Sequence, residues 1–181
     1  MGIFGLIKMI REEKKKIDNY LKMSVDDLRG LSDEELKEAL WERILAEEDD
    51  LEVIECLHKF RGAKRIYYVV NYFDMEVQNG GLCQFFVNSS KDVAPYILKC
   101  LRIIDAVSYE KLLKEFVETH KIKLTELESF DIDDIDDYEE QTKRYPFDDF
   151  DDAYYELYER EPLEDMLIAY AKQHLEDFAI R

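Results

Sequence analysis

The chain has 181 residues, enough for one domain with a sizeable core, and 46% of them are hydrophobic and 13% aromatic. Its formal net charge is −18, from 43 acids against 25 bases; a field of that sign repels nucleic acid and anionic membrane and draws in basic partners. Six Gly and three Pro are too few for a turn-rich β fold, and no stretch reaches the ~18 apolar residues of a membrane span.

The elements, in chain order, read as helices. Ile3 to Met23 is amphipathic, with Ile3, Leu6, Ile7, Ile10, Ile17 and Leu21 near one face and Lys and Arg on the other. Such a helix can lie on a membrane or dock on a partner; the commoner outcome, and the expectation, is packing on its own domain. Its apolar stretch precedes the basic cluster Lys14-Lys15-Lys16, the reverse of a secretory signal, and Leu6 stands where a myristoylation motif starting at Met1-Gly2 needs Ser or Thr. Ser24 to Leu31 reads as a connection. Ser32-Asp33-Glu34-Glu35 is a capping box that starts a helix packed through Leu36, Ala39, Leu40, Trp41 and Ile44. Asp49-Asp50 starts another, carrying Leu51, Ile54, Leu57 and Phe60 and ending at Arg61-Gly62.

Ala63 to Gln78 is the next strong helix, with Ile66, Tyr67, Val70, Phe73 and Val77 on one side. Asn79-Gly80-Gly81 ends it in a sharp turn, because Asn and Gly tolerate left-handed backbone. A short element with Leu82, Phe85 and Phe86 follows, and Ser89-Ser90 offers caps for a helix from Asp92 to Asp105 with Pro95 in its first turn. Its face is Ala94, Ile97, Leu98, Leu101 and Ile104. Ser108 reads as the cap of a helix reaching His120, and Thr125-Glu126-Leu127-Glu128 as a second capping box. Pro146 interrupts the acidic stretch Phe130 to Asp152. A helix over Asp152 to Tyr158 and a last one from Pro162 to Phe178 complete the chain, the latter packing through Leu163, Met166, Leu167, Tyr170, His174 and Phe178. The expected fold is all-α: a single multi-helix domain over residues 32–181 behind an N-terminal helical extension over residues 1–31.

Specific chemistry is scarce. Cys56, Cys83 and Cys100 are scattered in apolar surroundings without a C-x-x-C pair, which reads as reduced core thiols of a cytoplasmic protein. His58, His120 and His174 have no ligand-spaced partners, so no zinc site is expected. An EF-hand loop beginning at Asp131 would need Gly where Asp136 stands and an acid where Thr142 stands. No Ser or Cys has the neighbours of a nucleophile, and no cofactor is implied. Glu76, Asn79, Gln84 and Asn88 could line a polar pocket; the simpler expectation is that they hydrogen-bond the backbone around the glycine corner.

Charge is the remaining signal. Residues 1–130 hold 25 acids and 20 bases, whereas residues 131–181 hold 18 acids and 5 bases. The densest part carries eleven acids: Asp131, Asp133, Asp134, Asp136, Asp137, Glu139, Glu140, Asp148, Asp149, Asp151 and Asp152. If this stretch were one helix it would span roughly 33 Å. That is one net charge per about 3.7 Å, against ~3.4 Å per charge along a DNA strand. Phe130, Ile132, Ile135, Tyr138, Tyr145, Phe147 and Phe150 are interleaved, and are expected to anchor the segment and hold the carboxylates outward. The alternative is an acidic solvated face with no partner.

The order Glu76-Val77-x-Asn79-Gly80-Gly81-x-x-Gln84-Phe85-Phe86-x-Asn88 resembles the signature of the bacterial DNA-mimic protein family, a helical domain of largely uncharacterised function. The helix Pro95 to Asp105 and the stretch Asp149 to Tyr170 look similar to it as well, so the likeness covers roughly residues 45–178. Leu82 departs from the pattern, standing where an aromatic follows the two glycines. The resemblance implies an all-helical fold and no catalytic residues. For part of the family it implies an acidic surface that occupies the DNA site of a DNA-binding protein. The leading expectation is thus a non-enzymatic binding protein whose eleven acids engage a basic partner, such as a DNA-binding regulator. The alternatives are an immunity-type inhibitor of a basic toxin, a small-molecule or enzymatic site at the Asn-Gly-Gly corner, and a scaffold that oligomerises through its aromatic helices.

Overall fold

The computed structural model describes residues 3–180, and of Ile3 and Phe4 the backbone alone. The Met1-Gly2 reading and the side chain of Ile3 on the apolar face therefore lie outside the described residues. Ten α-helices and three short 3-10 turns make up the described chain, with no strand among the described residues.

The first three helices are α1 (Ile3–Lys22), α2 (Val25–Arg29) and α3 (Asp33–Glu48). The segment expected as a bare connection contains α2, because Ser24 and Asp27 form a capping box of their own: Asp27 N–H donates to Ser24 Oγ, and Ser24 N–H to the Asp27 carboxylate. The capping box at Ser32 and Glu35 forms as expected, with Ser32 N–H donating to Glu35 at 3.0 Å. Arg43 of α3 is buried. Its guanidinium donates to the carbonyls of Tyr20, Met23 and Phe178, which lashes the end of α1 and the C-terminal turn to α3. Burial disfavours its charge and lowers its pKa, and three carbonyl acceptors offset that cost.

Packing of α1 on its own domain holds only for its last turns. Tyr20 is buried and Ile17 and Leu21 are half-buried, but Leu6, Ile7, Met9 and Ile10 are exposed.

A short helix, α4 (Val53–Lys59), leads into the central one, α5 (Gly62–Val87). Glu52 rather than Asp49-Asp50 precedes α4, and Ile54 points to solvent. Helix α5 buries Tyr67, Tyr68, Val69, Val70, Phe73 and Val77 before a kink, then Leu82, Cys83, Phe85 and Phe86 after it. It packs on α6 (Ala94–Ile103), α9 (Phe147–Arg160) and α10 (Leu163–Lys172), and so forms the axis of the fold. Between them lie α7 (Val107–Thr119) and α8 (Ile135–Arg144). Pro146 separates α8 from α9 and Pro162 precedes α10, both where expected.

Several local expectations fail: α9 starts at Phe147, before the expected Asp152, and α6 starts at Ala94 after a 3-10 turn over Ser89–Val93, without a Ser89 or Ser90 cap. Ser108 does not cap α7, which starts one residue earlier after Ala106; its hydroxyl reaches Glu161 instead. Thr125 to Glu128 forms turns and the start of a 3-10 segment rather than a capped helix. The last helix stops at Lys172, and Leu175–Phe178 is a separate 3-10 turn.

The aromatic residues form the core around this axis. Phe73 meets Phe85 and Tyr154 edge to face, and Phe86 contacts Phe130 and Phe147. Cys56, Cys83 and Cys100 are all buried, as their apolar surroundings imply. Burial pushes the thiols of Cys83 and Cys100 up to about 12 and about 11, so they persist as unreactive thiols.

Candidate functional site

The glycine corner breaks the helix sharply, as expected, so that α5 is two helical segments joined at a kink. Gly80 takes φ −158° and Gly81 φ +79°, and the helix resumes at Leu82. A Cβ on Gly81 would lie 2.0 Å from the Asp151 carboxylate, and one on Gly80 would lie 2.0 Å from the side-chain oxygen of Gln84. At Gly81 both the left-handed backbone and the close approach require glycine.

Two partners from α9 close the kink. Asp151 accepts the Leu82 N–H at 2.8 Å, and the Tyr155 hydroxyl donates to the Val77 carbonyl at 2.9 Å. Tyr154 adds a hydrogen bond to Asp74 at 2.6 Å. Asp151 is half-buried, and burial pushes its carboxyl up to about 6 against the Leu82 hydrogen bond, with Asp148 and Asp152 adding repulsion. Asp151 was expected among eleven outward carboxylates; it instead faces inward and holds the corner. Nothing in its neighbourhood in sequence signals this, because its partner is 69 residues away.

The polar residues of the signature do not bond the backbone as expected. They converge on one carboxylate. Glu76 accepts from Gln84 Nε2 at 2.7 Å, Asn88 Nδ2 at 2.9 Å and Ser90 Oγ at 2.8 Å. Ser90, expected as a cap, was the missed member of this cluster. Asn79 stands exposed beside it. An open hollow of about 550 Å³ lies over the group, lined by Tyr72, Met75, Glu76, Gln78, Asn79, Gln84 and Asn88. Its single carboxylate is already engaged by three donors, so the residues serve the bend between the two halves of α5. Phe85 and Phe86 point the other way, into the core.

The acidic stretch is arranged differently. Asp131, Asp133, Asp134, Asp136, Glu139, Glu140, Asp148, Asp149 and Asp152 are exposed, and Asp137 is half-buried. Asp134 is the N-cap of α8, accepting the N–H groups of Asp136 and Asp137 at 2.9 and 3.0 Å. Asp137 in turn accepts the Asp133 N–H at 2.9 Å. These carboxylates lie at the positive end of the helix, which lowers the cost of crowding them. Asp148 and Asp149 occupy the corresponding first turn of α9.

Phe130, Phe147 and Phe150 are buried, and Tyr138 and Tyr145 half-buried, so they anchor the segment as expected. Ile135 does not; it is 75% exposed on the acidic face. Of the two bases within the stretch, Lys143 stays exposed and Arg144 folds back onto the chain. Lys143 lies 3.6 Å from Glu139, and Arg144 donates to the Ser129 carbonyl at 2.8 Å while covering the Phe130 and Tyr145 rings. Lys91 pairs with Asp131.

Among the described residues, no group of three or more His, Cys, Asp or Glu could hold a metal ion, and no helix is long and apolar enough to cross a membrane. No curated protein and no solved structure matches the chain. One family model does, described as DMP19-like protein, over residues 58–174. That span is about two thirds of the chain and runs from the end of α4 to just past α10, enclosing both the glycine corner and the acidic face. With its signature residues built into the bend of α5, the chain belongs to the DMP19-like protein family, the DNA-mimic family that its sequence resembles.

Proposed function

We propose that the protein is a non-enzymatic binding protein that presents the outward carboxylates of α8 and the first turns of α9 to a basic partner, occupying that partner's nucleic-acid site. The observation that carries this reading is the fate of the local cations. Arg144 is turned to the Ser129 carbonyl, Lys91 pairs with Asp131 and Lys143 stays exposed beside Glu139, and the exposed acids around these three far outnumber them. The contact residues of this proposal are Asp131, Asp133, Asp134, Asp136, Asp137, Glu139, Glu140, Asp148, Asp149 and Asp152. Asp151 drops out, because its carboxylate is committed to Leu82.

The partner in this reading is a DNA-binding regulator met in the cytoplasm. Residues 32–181 form the binding domain and residues 1–31 an extension. A basic toxin is the second candidate for the same surface, because it presents the same kind of positive groove. The enzymatic reading of the corner loses ground to the saturated hydrogen bonding of Glu76.

The test is capture of partners at low and high salt by wild type and by the variant with Asp133, Asp134, Asp136 and Asp137 all changed to Asn. Asn retains the capping acceptors and removes the charge. A nucleic-acid-binding protein held only by wild type, released by salt and displaced by its own DNA supports the proposal. Equal capture by the variant, or capture indifferent to competing DNA, overturns it.

A further inference from the structure

One helix of this molecule lacks a surface, and one surface lacks a helix. In the N-terminal half of α1, Leu6, Ile7, Met9 and Ile10 are all exposed, Ile10 to 59%. Full burial of such a side chain is worth about 1.5–3 kcal/mol, and this face forgoes about half of it. The same stretch carries Lys8, Arg11, Lys14 and Lys15 against Glu12 and Glu13, so its remaining faces are net basic.

The unfilled surface lies between α3 and α5. A hollow of about 390 Å³ there is lined by Glu34, Lys37, Glu38, Trp41, Asn71 and Met75. Trp41 is half-buried and Met75 is 46% exposed, so two large apolar side chains form its floor. Trp is the residue type most often found at the centre of strong interfaces, and Met adapts to whatever shape packs on it. Glu34 and Glu38 border it; Lys37 is drawn off to Glu164 and Glu38 to Lys16, which leaves the exposed Glu34 as the open charge of the rim. Met75 also borders the hollow over Glu76, which extends the groove along α5 toward Tyr72.

Glu38 relates the two features in space. It lines the groove, and it also receives Lys16 at 2.6 Å and the Tyr20 hydroxyl at 3.1 Å from α1. The root of the exposed arm and the groove therefore meet at one residue. Helix α1 is continuous through this contact, so the arm continues past its own groove instead of covering it. A second copy related by a two-fold axis beside Glu38 would lay each arm over the other's groove, apolar face on apolar floor and the basic flank beside the exposed Glu34.

We propose that the protein forms a two-fold dimer in which the exposed arm of α1 docks in the Trp41–Met75 groove of a second copy. The inference does not depend on the acidic face, since neither α8 nor α9 contributes to it.

Trp41 is the single tryptophan of the chain, so its emission reports on this groove alone. The experiment is sedimentation equilibrium together with tryptophan emission across a concentration series. It compares wild type, the double variant Leu6→Ser/Ile10→Ser and the groove variant Met75→Glu, all at exposed positions. Wild type is expected to dimerise, with its emission shifting to shorter wavelength as the dimer fills. Each variant should weaken dimerisation about tenfold or more, the loss of roughly 1.4 kcal/mol. A monomer at every concentration overturns the proposal. So does a dimer that persists in the arm variant or leaves the Trp41 emission unchanged. Arm-dependent binding to phosphatidylserine vesicles by a protein that stays monomeric would reassign the arm to lipid and overturn it equally. In each case the arm variant retains its acidic face, so salt-sensitive partner capture separates this outcome from failure of the proposed function.

Discussion

The glycine corner and the acidic face lie on adjoining helices, yet their polar groups are used in opposite ways. At the corner almost every polar atom has an internal partner. Glu76 accepts from three donors, Asp151 accepts the Leu82 N–H and the Tyr155 hydroxyl donates to the Val77 carbonyl. On α8 only the caps, Asp134 and Asp137, are occupied by backbone, and Asp133, Asp136 and Glu140 face water. The signature that identifies the family is therefore a device for bending α5 around α9. The charge that motivates the functional proposal is a property of surfaces the bend supports. Kinship and binding are carried by different residues.

Variants should separate the two regions. The largest effect is expected at Gly81→Val. A side chain there meets both a left-handed backbone and the Asp151 carboxylate, which together cost about 2–5 kcal/mol, so the melting temperature should collapse. A Gly81→Val protein that melts like wild type would show that the corner does not govern the fold. Next is Glu76→Ala, which strips one acceptor from Gln84, Asn88 and Ser90 at once. Denaturant titration should record a loss of about 1–3 kcal/mol, with partner capture by the folded protein unchanged.

A pH series sharpens the comparison further. The folded-state pKa of Asp151 is raised to about 6 by burial, so the fold favours its protonated form. Its contribution to stability is fully present below pH ~4 and is lost as pH rises through about 6, at most about 3 kcal/mol and on the order of 2 once solvent screens the half-exposed carboxyl. Asp151→Asn keeps an acceptor for Leu82 and removes the titration, so it should flatten that part of the stability profile relative to wild type. Identical profiles for the two proteins would place the charge of Asp151 in water.

The smallest effects belong to α8. Asp134→Ala removes the cap and should cost about 1 kcal/mol, whereas Asp134→Asn should cost only a few tenths. Ile135→Ser should leave stability within about 0.5 kcal/mol, because that side chain is solvated already. A marked loss on Ile135→Ser would mean that it is covered in solution.

What the sequence disclosed follows the range of the interactions. The capping box at Ser32, the breaks at Pro146 and Pro162 and the core face of α6 are set within a few residues, and the chain states them directly. The same local logic would have found α2, since Ser24 and Asp27 carry the pattern seen at Ser32 and Glu35. It overreached at Thr125, where the capping pattern has no following helix long enough to hold it. Arg43 and Asp151 were not legible, because their partners lie 135 and 69 residues away and only the packed helices bring them together. The acidic face was legible as a density of charge, but not in its geometry. Which acids cap α8, which one turns inward and where the local cations go are consequences of tertiary packing.

The pairing of Gly81 with Asp151 also bears on how such a chain can change over generations. A replacement at either position must answer to the other across the helix contact, so both are expected to drift slowly and together. Asp133, Asp136 and Glu140 answer to no internal neighbour, and their substitution leaves the bend untouched. A lineage can thus retune its surface toward a new target, or abandon targets altogether, while its recognisable motif stays fixed. Descent from a common ancestor will be far easier to detect among such proteins than a common binding specificity.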